Sequence, residues 1–210
     1  MPFGVLINRK TCGRLCPQGV LMKKLALSLL VVSGLFSSAA FAGLNYGIEA
    51  GMRSQSGDTD ATGGSTDSQT AMQVGMFGIM PISGAWNIRT GLLYTQRPLT
   101  EKNSGIENKI DMNYVDIPFN IMYKFEDYAG VYLGVNLAIN MDKKCSANGC
   151  TMGDVTSPLI PLVVGAAFKF SPNFGVNVYF ESASGKVVTV NSHDLKNYRA
   201  VGANLLLTFD

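Results

Sequence analysis

The chain has 210 residues, 17 basic and 15 acidic side chains, 47% apolar composition and 23 glycines. One domain is expected at this size. The small charge excess provides none of the basic field that marks a nucleic-acid partner.

The chain opens on a segment that reads as processing sequence. Met22-Lys23-Lys24 is a positive start, residues 25–36 an apolar core, and Ala40-Phe41-Ala42 a small-x-small cleavage site before Gly43. That is the layout of a secretory signal peptide over residues 22–42. An uncleaved helical anchor is the competing reading, since residues 25–42 are almost long enough to span. Residues 1–21 precede Met22 as an upstream extension outside the usual signal layout. Cleavage would remove Arg9, Lys10, Arg14, Lys23 and Lys24 and no acid, leaving twelve basic against 15 acidic residues. Residues 43–210 are then the working domain. Two of the four cysteines, Cys12 and Cys16, go with the leader. Cys145 and Cys150 remain, and an oxidising compartment predicts a disulfide between them. The single histidine, His193, lies far from both, so neither a metal site nor any other cofactor is expected.

From residue 44 onward, side chains alternate with period two, the signature of half-buried strands. Eight such stretches follow in order: residues 44–53, 70–80, 86–96, 109–125, 131–141, 162–170, 176–181 and 201–209. Short turns are predicted at residues 81–84, 126–128 and 171–173. Long polar loops are predicted at residues 54–68, 97–108, 142–158 and 184–196. In the fourth stretch the apolar parity changes from Ile110, Met112 and Tyr114 to Val115, Ile117 and Phe119, which suggests a β-bulge near Val115 and Asp116. Three short turns alternating with four long loops give an all-β, eight-stranded antiparallel up-and-down transmembrane β-barrel in a bacterial outer membrane. Six of the eight stretches are close to the ~9–11 residues needed to cross at a tilt.

A soluble barrel around a ligand would show the same alternation with its faces reversed. Three features favour lipid outside. The aromatics Tyr46, Trp86, Tyr123, Phe125, Phe170 and Phe209 share the apolar face at the turn end, where an interfacial girdle belongs. Glycines 47, 51, 75, 91, 134, 165 and 202 fall on the other face, as a narrow lumen requires. The polar face holds few, mixed charges, Glu49, Arg53, Arg89, Asp116, Lys124, Lys169, Glu181 and Arg199, which suit ion pairs inside a lumen. A packed, salt-bridged filling is the plainer role for them; a gate or narrow ion path is the alternative.

Tyr114-Val115-Asp116-Ile117-Pro118-Phe119, then Tyr123-Lys124, then Tyr132-Leu133-Gly134, resemble the small outer-membrane barrel domains of the OmpA-like and PorT-like families. The resemblance extends over the whole of residues 43–210 in layout and is specific over the fourth and fifth stretches. It implies membrane location and no shared catalytic residues. Asp210 after Phe209 departs from relatives that finish on the aromatic itself. Expected partners are outer-membrane lipid and lipopolysaccharide, the barrel assembly machinery, and a surface partner reached through the loops. No nucleic acid is expected, and the protein should be a monomer.

Catalysis has little to stand on. Ser192-His193-Asp194 collects nucleophile, base and acid types, but adjacent residues of an extended segment point to opposite faces. Asp58-Thr59-Asp60-Ala61-Thr62-Gly63 matches half a calcium loop, yet Gln69 stands where a bidentate glutamate belongs. The expectation is a non-enzymatic barrel with a structural or surface-interaction role. A surface adhesin, a lipid-active barrel enzyme and a narrow channel are the alternatives.

Overall fold

A computed structural model describes residues 44–103, 106–146 and 150–209. The expected leader, residues 1–42, and its two cysteines lie outside the described residues. The elements are β1 (Asn45–Thr59), β2 (Ser65–Asp67), β3 (Gln69–Ser83), β4 (Trp86–Gln96), β5 (Leu99–Asn103), β6 (Ile106–Glu126), β7 (Ala129–Cys145), β8 (Met152–Val155), β9 (Leu162–Lys169), β10 (Phe174–Val190) and β11 (His193–Phe209). Eight of them, β1, β3, β4, β6, β7, β9, β10 and β11, pair antiparallel with their neighbours into a ring, which β1 and β11 close from Tyr46 opposite Phe209 to Thr59 opposite Leu195. A closed ring pairs the backbone polar groups of every strand, the condition for crossing lipid with strands. β2, β5 and β8 are short strands added at the loop end.

Alternation sorts the two faces. Leu133 is 55% and Leu205 65% exposed, while Glu49, Asp116 and Glu181 are at most 1% exposed. Each large apolar side chain left in water forfeits about 1.5–3 kcal/mol, so a wall of them needs a lipid solvent. The inner face closes tightly. Tyr132 lies opposite Gly165 and Tyr179 opposite Gly202, and a Cβ on either glycine would overlap the tyrosine ring. These glycines are the seats of the lumen tyrosines.

The strands outrun the membrane. β6 has 21 residues, about twice what a crossing needs. Its lipid-facing positions run from Ile117 to Phe125, whereas nearer its start the outer positions are Glu107, Lys109 and Asp111. The excess continues the wall as a stem beyond the loop-side surface. Inside the stem, Ile110, Met112, Tyr114, Val188, Val190 and Leu195 are at most 1% exposed and pack together.

This stem corrects the expected bulge. β6 keeps one parity throughout, and Ile110, Met112, Tyr114 and Asp116 all point inward. The apolar side switches because the outer solvent changes from water to lipid along the strand. The irregularity lies on β7, where Asn113 faces Asp142 and Tyr114 faces Asn140, leaving Met141 as the extra residue. The stem also replaces expected loops with strand. Residues 54–59 extend β1, residues 99–103 form β5, and residues 184–196 form a hairpin turning on Asn191 and Ser192 alone. Between β8 and β9 the wall is completed without regular strand: the N–H groups of Asn136 and Ala138 donate to the carbonyls of Pro161 and Leu159. Cys145 and Cys150 are bridged and pack against the stem core.

Candidate functional site

Among the described residues, the densest chemistry lies in the lumen, in two groups of hydrogen-bonded side chains. The group nearer the stem centres on Arg97. Its guanidinium donates to both carboxylate oxygens of Asp116, at 2.8 and 2.9 Å, and to Glu181 Oε1 at 2.6 Å. Paired parallel contacts of this kind are the strongest geometry an arginine offers a carboxylate. Arg53 reaches the same Glu181 oxygen at 3.2 Å and donates to the Tyr198 hydroxyl. Tyr198 in turn donates to Gln55 Oε1 at 2.8 Å, and Asn136 Nδ2 donates to Glu181 Oε2 at 3.3 Å. Tyr179 and Arg53 both donate to Gln73 Oε1. The Arg97 guanidinium also lies 4.8 Å from the Tyr114 ring centroid, within cation–π range.

The second group lies towards the turn end and centres on Glu49. Arg89 Nη2 meets Glu49 Oε1 at 2.5 Å; Asn204 and Asn177 donate to Oε2 at 2.8 and 3.2 Å. Tyr132 donates to Asn177 Oδ1 at 2.8 Å, and its ring centroid sits 5.0 Å from the Arg89 guanidinium. Below this group Phe77, Ile79, Met122 and Leu206 form a second apolar layer. Within these two groups three arginines thus face three carboxylates. Balance is required, because a buried charge without a partner is expensive.

Of the eight charges expected in the lumen, Glu49, Arg53, Arg89, Asp116 and Glu181 form these two groups. Lys124 and Lys169 are half-buried at the turn-end mouth, where they line a hollow with Glu126 and Asp127. Arg199 is a correction. It shares the parity of Val201 and Leu205, lies on the outer wall with its side chain 60% exposed, and approaches Asp58 at 3.8 Å. The residue missing from the expectation is Arg97. Placed before Pro98 in what reads as loop, it is wholly buried. Its odd numbering continues the inward positions Arg89, Gly91, Leu93 and Thr95, and that was the available signal.

The six girdle aromatics all point outward at the turn end. Trp86 and Tyr123 meet edge to face at 5.0 Å, Tyr123 and Phe125 at 5.3 Å, and Tyr46 and Phe209 tilt together at 5.9 Å. Phe174, 52% exposed, belongs to the same band.

The other candidate chemistries come apart. Ser192 is a turn residue, Asp194 accepts from Thr189 Oγ1 at 2.7 Å, and His193 Nδ1 stands 3.9 Å from Asp60. Asp60, from the half calcium loop, instead accepts from Lys196 Nζ at 2.9 Å and from the Asp194 N–H at 2.8 Å. Those contacts hold its carboxyl below the ordinary range, the lysine first. Asp58 accepts from Asn197 Nδ2 at 3.0 Å. Among the described residues, no group of three or more His, Cys, Asp or Glu could hold a metal ion.

Comparison with known proteins agrees with the fold. Residues 36–209 match the family described as outer membrane protein beta-barrel domain. The outer membrane protein OprG from Pseudomonas aeruginosa superposes with a TM-score of 0.50 at 10% identity, over 78% of this chain and 93% of that one. Neisserial surface protein A gives 0.46 at 14% identity over 80% and 98%. Ail of Yersinia pestis gives 0.43 at 13% identity over 78% and 99%. No curated protein matches. With its ring of eight strands, its apolar outer wall and this match over the whole described region, the chain belongs to the bacterial outer-membrane proteins of the outer membrane protein beta-barrel domain family.

Proposed function

We propose that this is a sealed, non-enzymatic, monomeric barrel that presents a rigid stem to the outside for contact with surface partners. The observation that supports this reading is the filling of the lumen. The Arg97–Asp116–Glu181–Arg53 group spans the interior, and the apolar stem core lies directly above it. A hydrated ion meeting the first would have to displace well-placed arginines, and meeting the second would have to shed its water. Lipid and lipopolysaccharide contact the outer wall, the assembly machinery inserts the strands, and the Tyr-x-x-Ile-Pro stretch of β6 supports a PorT-like placement within the family.

The test uses full-length protein refolded into planar bilayers. No unitary current above the bare-membrane level is expected, and steady conductance steps would overturn the sealed reading. The same preparation incubated with outer-membrane lipid should release no fatty acid. Release that scales with protein would favour a lipid-active enzyme instead.

A further inference from the structure

The two ionic groups meet at a seam, and the seam contains Asn120. This residue is on β6 opposite Gly134 of β7, whose missing side chain leaves space for the amide. Asn120 is 2% exposed, yet neither its Oδ1 nor its Nδ2 has a protein partner. Asn136, 5% exposed and one diagonal step away on β7, donates to Glu181 while its own Oδ1 is also unpartnered. Buried polar atoms in folded proteins nearly always have a partner, so two adjacent amides with three unmet atoms point to a bound species.

The cavity they line names the species by size and chemistry. Glu49, Arg89 and Asn177 of the turn-side group contribute to its wall, as do Gln73 and Tyr179 of the stem-side group. It leaves about 10 Å³ for the centre of a water-sized molecule, close to the least that holds one water. The Asn120 amide presents a donor and an acceptor together. A cation would satisfy only the oxygens, and an anion only the N–H. Water both donates and accepts.

We propose that one water is bound between Asn120 and Asn136, in the cavity at the seam of the two ionic groups. The site stands independently of whether the stem has a partner or the barrel conducts. With the Asn120 side chain as its main anchor, its position depends on Gly134 remaining small.

The test is solution NMR of the refolded, full-length barrel in nanodiscs, with asparagine side-chain amides labelled. The Asn120 amide protons should give cross peaks to water of the sign that marks a long-lived complex, alongside slow exchange with bulk solvent. A protected Asn120 amide with no such cross peak in the wild type would overturn the proposal. In Asn120→Leu, which has the same heavy-atom branching but is apolar, the water signal at the Asn136 amide should fall at least several-fold. A folded Asn120→Leu barrel that keeps the Asn136 signal at wild-type strength would also overturn it, and if that variant does not fold, the wild-type spectrum alone decides.

Discussion

Replacing Arg97 by leucine would leave Asp116 buried without its two guanidinium donors and Glu181 with Arg53 as its remaining cation. Removing one partner of a buried ion pair typically costs about 3–5 kcal/mol, because the other charge stays desolvated. Arg97→Leu should lose that much stability, measured by urea titration of the fluorescence of Trp86, the single tryptophan. Adding Asp116→Leu should recover most of the loss, since the stranded carboxylate goes with it. A double variant as unstable as the single one would mean that Arg97 acts through packing on Tyr114 and Tyr198 instead. Arg97 was hidden from sequence reading by Pro98 and by the polar residues that follow. Period-two reasoning stops at the first break in the pattern, although inward geometry continues through it. Arg199 shows the reverse. Its type suggested the lumen, but its parity assigns it to the wall.

At the scale of elements, the long β10–β11 hairpin turns on two residues, with Val190 opposite His193. Both central residues have positive φ, 48° at Asn191 and 70° at Ser192, as a type I′ turn requires. Asparagine suits that region, whereas serine there carries a steric cost that glycine lacks. Ser192→Gly should therefore stabilise the hairpin by about 0.5–1 kcal/mol, seen as a higher temperature in the folded-to-unfolded gel shift.

The same hairpin is fastened to β1 through Asp60. Because the folded carboxyl titrates below its ordinary value, its contribution is whole above the unfolded value, near ~4, and is lost as pH falls through the depressed folded value. Protection of the Asp194 amide against hydrogen exchange should hold at neutral pH and weaken in that acidic window. Lys196→Gln should move the loss to higher pH. An unchanged profile in that variant would show that the lysine does not set the titration.

The elements legible in the sequence were those inside the membrane, where an apolar outside contrasts with a polar inside. In the stem both solvents are exchanged: the outside is wet and the inside apolar. Val188, Val190 and Leu195 therefore look like stray apolar residues in a polar loop, although they are core. Amphipathic alternation reports contrast between faces, and it names the inside only when the solvent is known.

Seen whole, the interior is a stack along the barrel axis: apolar stem core, two ionic groups, then the apolar layer above the turn-end mouth. Each ionic group is thus screened from water by an apolar neighbour, which strengthens its pairings and raises the cost of breaking them. The outer wall obeys the opposite rule. Val135 sits within the lipid-facing run of β7, and Val135→Arg should cost about 2–4 kcal/mol at the midplane. Urea unfolding of the barrel in bilayers measures it. A cost near zero would mean that this wall does not face lipid.

The two-residue turn has a consequence for life at a cell surface. A protease needs an unpaired, extended stretch of substrate that it can draw into its cleft. Near the tip, β10 is hydrogen-bonded to β11 on one side and to β8 on the other, with Asn191 and Ser192 alone between the paired residues. With the stem outside the cell, as proposed, a digestive enzyme would meet this hairpin as a surface without a loose end.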